Sequence, residues 1–233
     1  MSPRDRGTLG LCAYCGLEDF LTKDHIPPKS LFASPRPANL ITVPACMRCN
    51  AGASKDDEYL CLVLSLSEEV DGNPDAAAAK EHSLRALGKI RKTGFARRFF
   101  RTVREIDDVS PAGLYLGKKG SYQAEGKRLQ RIAERMIRGL FYHETKQVMP
   151  ANCEVMAFST RTLDIRRMPP QLLDLYKATL QQLIQSRSHV KGSLTFDYRC
   201  AFSPNSGTDS LWLIAFYGRF FFVGAVRMKK GDT

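Results

Sequence analysis

Two Cys-x-x-Cys pairs, Cys12/Cys15 and Cys46/Cys49, constrain this chain more than any other feature. Each pair can present two thiolates from one tight turn, and the thirty residues between the pairs let the turns face one another across a tetrahedral metal site. The thiolate set points to structural zinc. A closed four-sulfur site leaves no coordination position for substrate, so any chemistry has to come from residues the metal holds in place. The residues framed in this way are Asp24 and His25, within Lys23-Asp24-His25-Ile26-Pro27-Pro28, and Asn50, which directly follows Cys49.

The chain is far longer than a minimal zinc finger, with 233 residues and ample sequence for a buried core. Lys and Arg outnumber Asp and Glu by 35 to 24, and the resulting charge of +11 suits a polyanionic partner, nucleic acid first. Met-Ser-Pro-Arg-Asp-Arg at the N-terminus lacks the apolar core of a signal peptide, and no apolar run approaches the roughly eighteen residues of a membrane span. The expectation is a cytoplasmic protein with no membrane partner. In a reducing compartment paired cysteines serve as metal ligands more often than as disulfides, which strengthens the zinc reading. Cys61, Cys153 and Cys200 stand singly in apolar stretches and read as buried thiols.

The fold class expected is α+β, in three parts. Residues 1–70 hold a small zinc-stabilised unit, dense in Cys, Pro, Gly and Asn and followed by a helix from Glu58 to Val70, with Ser54-Lys55-Asp56-Asp57 as its cap and acidic first turn. Residues 71–150 form a basic helical region, with helices over Asp75 to Lys92, Phe95 to Ile106 and Glu125 to Glu144. Residues 151–233 form a mostly antiparallel sheet, with strands over Val155 to Phe158, Leu194 to Phe202, Leu211 to Tyr217 and Phe220 to Val226 and a helix from Pro170 to Ser186. Tyr217-Gly218-Arg219 reads as a hairpin turn. This last part is a candidate for specificity or self-association, and its aromatic residues are mainly core.

Written out, the informative pattern is Cys12-x-x-Cys15, Asp24-His25-x-x-Pro28, Asn39-Leu40, Cys46-x-x-Cys49-Asn50. Over residues 11–58 it resembles the HNH, or ββα-metal, endonuclease superfamily, and within it the McrA-like members that carry four zinc-binding cysteines around the catalytic motif. The resemblance implies a β-hairpin and helix that hold one divalent cation against the scissile phosphate. Carried over to this sequence, it makes Asp24 and Asn50 the cation ligands and His25 the general base. It makes Asn39 the residue that ties down the loop and orients the histidine. Oxygen donors favour Mg²⁺ or Mn²⁺, and an imidazole near neutral pKa can take a proton from water. Asn50 stands where many members carry His, and other members also carry Asn there.

The function implied is metal-dependent endonucleolytic hydrolysis of DNA, in keeping with defence against foreign DNA. The alternatives are an RNA-cleaving HNH nuclease and a non-catalytic, zinc-dependent nucleic-acid-binding or regulatory module. The basic middle region supplies a docking surface: fourteen Lys/Arg against five Asp/Glu lie between Lys89 and Arg138. Arg97, Arg98, Arg101 and Arg104 fall along one helix side, and Arg128, Arg131 and Arg135 recur at helical spacing on the next, as rows suited to a phosphate backbone. Asp56, Asp57 and Glu58 read as helix-capping acids. The histidines His82, His143 and His189 show no spacing that suggests a second metal site, and the acids Glu134 and Glu144, unpaired with any nucleophile signature, read as parts of solvated helix faces. Nothing in the sequence sets the oligomeric state, and a homodimer that cuts both strands is compatible with it.

Overall fold

The third strand of the chain runs directly into the first turn of a helix, and this junction organises the N-terminal third. In the computed structural model, which describes residues 7–90, 94–160, 168–186, 188–190 and 195–229, strands β1 (Leu9–Leu11), β2 (Glu18–Ile26) and β3 (Ile41–Cys46) form an antiparallel sheet in sequence order. Cys46 caps helix α1 (Met47–Ser65) without any connecting loop. The register pairs Leu21 with Cys46, Asp24 with Val43 and Ile26 with Ile41. Pro44, which has no N–H to give to a ladder, lies on the edge strand β3 opposite Lys23.

Helix α1 begins eleven residues before the expected Glu58. A ligand spacing of three residues is one helical turn as well as one tight turn, so Cys46-x-x-Cys49 is compatible with both. Ser54 therefore caps nothing; its hydroxyl donates to the Ala51 carbonyl inside the helix at 3.0 Å. The second half of α1 is buried on every side, from Tyr59 through Ser65.

Helix α2 (Pro74–Ile90) packs against α1, and its start is capped by Asn73, whose side-chain oxygen accepts from the N–H groups of Asp75 and Ala76. Helix α3 (Gly94–Thr102) is shorter than expected. Its expected last turn is instead the start of β4 (Arg104–Val109), which pairs with β5 (Tyr115–Ser121) as a two-stranded hairpin. Lys92 and Leu194, named as element ends from the sequence, lie outside the described residues.

Helix α4 (Gly126–Thr145) is the centre of the structure. Its buried positions, Leu129, Ile132, Ala133, Met136, Ile137, Leu140 and Phe141, follow the i, i+3, i+4 spacing of a helix covered along a wide stripe. At Gly139 a Cβ would lie 2.2 Å from Ile26 Cδ1 and 3.1 Å from the Tyr14 ring, so only glycine lets α4 approach β2 this closely. On the other side, a Cβ at Gly224 would lie 2.2 Å from Ile137 Cδ1. The helix is wedged between the N-terminal sheet and the C-terminal one.

The C-terminal sheet contains β6 (Cys153–Ser159), β7 (Phe196–Phe202), β8 (Ser210–Phe216) and β9 (Phe220–Met228), all antiparallel in the order β6-β9-β8-β7. Tyr217 and Gly218, both at positive φ, turn the chain between β8 and β9. Helix α5 (Pro170–Gln185) packs on β7 and β8, and Leu183, Leu213 and Val223 form a small cluster beneath it. The opposite face, with Tyr198, Trp212 and Phe222, joins the core around α4. With both faces covered, the strands carry aromatic residues on each side, as the sequence shows. The main apolar core runs without a break from Ile26 and Val43 through α1 and α4 to Trp212. Among the described residues no helix is long and apolar enough to cross a membrane.

Candidate functional site

The turn between β1 and β2 carries Cys12 and Cys15, and the junction of β3 with α1 carries Cys46 and Cys49. The four Sγ atoms lie within 4.8 Å of one another, with Cys15 and Cys46 at 3.9 Å, and none is in a disulfide. Four sulfurs around zinc at about 2.3 Å sit about 3.8 Å apart, so the cluster is compatible with a structural zinc ion. Gly16, at φ 69°, closes the first turn by donating its N–H to the Cys12 carbonyl at 2.9 Å. Burial pushes the Cys12 thiol up, but the backbone N–H groups of Cys46, Cys15 and Tyr14 outweigh it and bring the group down to about 7. Burial pushes Cys49 up.

Asp24 and Thr22 lie on the same face of β2, two residues apart, and that face looks toward α1 and α4. Asp24 is buried, and its Oδ2 accepts from the Tyr14 hydroxyl at 2.5 Å and from Arg135 Nη2 at 2.6 Å. Arg135 also donates to the Cys49 carbonyl at 3.4 Å and lies over the Tyr14 ring at 4.4 Å. Asn50, in the first turn of α1, donates its amide nitrogen to Thr22 Oγ1 at 2.9 Å and more distantly to the Lys23 carbonyl. The structure thus brings Asp24 and Asn50 to one face of β2, beside the cysteine cluster.

His25, next along the strand, projects from the opposite face. Its ring makes no hydrogen bond to any described residue and its pKa is pushed down, first by burial and then by the nearby Lys29, against the pull of Asp24. The imidazole is therefore neutral near pH 7. Asn39 is exposed, makes no hydrogen bond to a described residue and lines a pocket with Pro27, Phe32, Leu40 and Phe196. No hydrogen bond joins it to His25 among the described residues.

Each arginine of the row on α4 is paired with an acid of α1 or β2. Arg128 and Arg131 both bind Asp56, at 2.8 and 3.0 Å, and Arg128 also lies over the Tyr59 ring at 4.3 Å. Arg135 reaches Asp57 at 3.9 Å as well as Asp24. Arg128 and Arg135 are thus largely covered and paired with acids, while Arg131 is paired but remains 62% exposed. Two of the three acids expected to cap a helix, Asp56 and Asp57, are among those they hold. Burial would raise Asp56, but hydrogen bonds from Arg131 and Arg128 bring its pKa down; burial lifts Asp57 to about 6, with Arg135 only partly opposing it. Arg97, Arg98 and Arg101 are exposed on α3 and form no ion pair with a described residue; Arg104 is exposed but starts a strand. Arg98, Lys127, Arg128 and Arg131 line one groove between α3 and α4.

Two groupings escaped the sequence. Tyr14 and Arg135 flank Asp24, although the Cys-x-x-Cys spacing could have suggested the first because Tyr14 lies inside the knuckle. Glu144, His189 and Cys200 come from three separate elements yet meet, which no spacing could signal. Comparison with protein-family models, with curated proteins and with solved structures finds no match for the chain.

Proposed function

We propose that this chain is a metal-dependent endonuclease of the HNH type, hydrolysing DNA phosphodiester bonds. The supporting observation is the antiparallel hairpin of β2 and β3 running directly into α1, with Asp24 and His25 near the end of β2 and Asn50 in the first helical turn. In this reading the four cysteines hold zinc as a clamp that fixes the hairpin to the start of the helix.

The donors beside the clamp suit a hard cation such as Mg²⁺ or Mn²⁺. Asp24 Oδ1 makes no hydrogen bond to a described residue, so this oxygen is not committed to a protein donor there. Asn50 spends its nitrogen on Thr22, leaving its carbonyl oxygen free to coordinate. Asp24 and Asn50 would hold the cation. When bound, the cation supplies charge stabilisation at the phosphate and at the leaving 3′-oxygen. In this reading His25, neutral and with no hydrogen bond to a described residue, takes the proton of the attacking water from the other face of β2. Arg135 holds the Asp24 carboxylate in one orientation.

A second reading rests on the same pair. Arg135 already neutralises Asp24, and a protein that only binds nucleic acid needs no further cation there.

Purified protein with Mg²⁺ or Mn²⁺ is expected to cut supercoiled or branched DNA in preference to matched RNA. His25→Ala is expected to lower the rate by about 10²–10⁴-fold with zinc content and fold unchanged. The acid limb of the wild-type pH profile is expected to fall below pH 6.5, because the histidine's pKa is depressed. Binding without cleavage by the wild type would sink the nuclease reading and favour the second; cleavage of RNA alone would move the substrate class.

A further inference from the structure

Far from the cysteine cluster in sequence, three metal-binding side chains of different types converge at the end of α4. Glu144 lies in the last turn of α4, Cys200 lies on the edge strand β7, and His189 lies in the segment after α5. His189 is held in place twice. Its N–H donates to the Tyr198 carbonyl at 3.2 Å, and its ring stacks on the Tyr198 ring with centroids 4.9 Å apart.

His189 Nδ1 lies 3.3 Å from Glu144 Oε1, and His189 Nε2 lies 3.7 Å from Cys200 Sγ. One donor atom from each residue can be chosen so that all three lie within 4.8 Å of one another. Ligand atoms of this set on one tetrahedral zinc stand about 3.3–3.6 Å apart, so closing the widest gap takes at most about 1.5 Å of side-chain movement. Tyr198 donates its hydroxyl to Glu144 Oε1, which orients the carboxylate and leaves Oε2 available.

We infer that Glu144, His189 and Cys200 form a second metal site, selective for a borderline-soft divalent cation of the zinc type. A thiolate, an imidazole and a carboxylate together suit Zn²⁺ and disfavour Mg²⁺ or Ca²⁺, which want oxygen alone. With three protein ligands the fourth position is open. The His189 side chain is 29% exposed, so water or a small anionic ligand can reach that position. The four-cysteine cluster is closed by comparison, and the two sites differ in kind: one clamps, the other can exchange a ligand.

The test is a zinc count by difference, which depends neither on nuclease activity nor on occupancy of the cysteine cluster. Full-length protein is titrated with Zn²⁺ against a chromophoric chelator, beside Cys200→Ser and His189→Gln. The wild type is expected to take up one equivalent more than either variant. Loaded with Co²⁺ instead, the wild type should show a sulfur-to-cobalt charge-transfer absorption that is weaker in both Cys200→Ser and His189→Gln, each of which lacks the second ion. His189 is on an exposed segment, so its variant carries the test even if Cys200→Ser does not fold. Equal zinc uptake by wild type and a folded variant overturns the inference.

Discussion

Arg135 Nη2 stands 2.6 Å from Asp24 Oδ2, and the two residues are 111 positions apart in the chain. The pair connects α4 to the strand that carries the candidate catalytic residues. Asp24 has only 6% of its side chain exposed, so removing the guanidinium leaves a buried carboxylate without its counter-charge. Arg135→Ala is expected to cost about 3 kcal/mol of unfolding free energy in the zinc-loaded protein, measured by urea denaturation. Asp24→Asn combined with Arg135→Ala should cost less than the two single changes added together. Strict additivity would mean the two groups do not depend on one another.

Asp57 and Asp56 are neighbours on α1 whose contributions run in opposite directions with pH. The folded-state pKa of Asp57 is raised, to about 6 from an ordinary value of 3.8, so its bound proton stabilises the fold. That contribution is complete below about 3.8 and is lost as pH rises through about 6. Asp57→Asn should therefore stabilise the protein at pH 8 by about 2 kcal/mol relative to wild type and change little at pH 4. Asp56 has a depressed pKa, so its contribution is present above 3.8 and disappears as pH falls through its folded value. Asp56→Asn should destabilise at pH 8. Denaturation midpoints across this range check both signs.

The exposed arginines of α3 and the paired arginines of α4 should separate under salt. If the α3 face meets a phosphate backbone, Arg97→Ala, Arg98→Ala and Arg101→Ala together make the slope of log affinity against log salt shallower, by about 0.9 for each duplex phosphate that is no longer neutralised. Arg128→Ala, with only 13% of its side chain exposed, should instead lower thermal stability and leave that slope nearly unchanged. An unchanged slope in the α3 variant would place the docking surface elsewhere.

Zinc in the cysteine cluster should protect one part of the structure and not another. Removing it with a strong chelator is expected to release backbone amides of β1, β2, β3 and the first turn of α1 to hydrogen exchange, because the Cys12, Ala45 and Cys46 cluster has little apolar core of its own. Amides of β8 and β9, beneath Trp212 and Phe222, should stay protected. Uniform deprotection of both regions would show that the metal is coupled to the whole fold.

The parts of this structure that are legible in the sequence are those written locally. The cysteine spacing, the strand alternation of Phe220 to Val226 and the period of Leu129, Ile132, Met136 and Leu140 each depend on residues a few positions apart. The β4–β5 hairpin is not legible because its strands are largely exposed, so no apolar alternation distinguishes Arg104 to Ile106 from the end of a basic helix. The same limit applies to the site. Helical spacing puts Arg128, Arg131 and Arg135 on one side of α4, but whether that side meets solvent or Asp24, Asp56 and Asp57 depends on where α1 lies. Glu144, His189 and Cys200 are a still clearer case, since they lie on α4, after α5 and on β7 and meet only in the folded chain.

Gly139 and Gly224 leave no room on either side of α4, and seven successive residues of α1, Tyr59 to Ser65, are sealed into the same interior. The hairpin-and-helix unit is consequently not a portable cassette. Cut free after Val70, it would carry away a helix end that is greasy all the way round, and it would lose Tyr122, Arg128 and Arg135, which anchor that helix and its strand from outside. Any exchange of this unit between proteins would have to take the helix at residues 126–145 along with it.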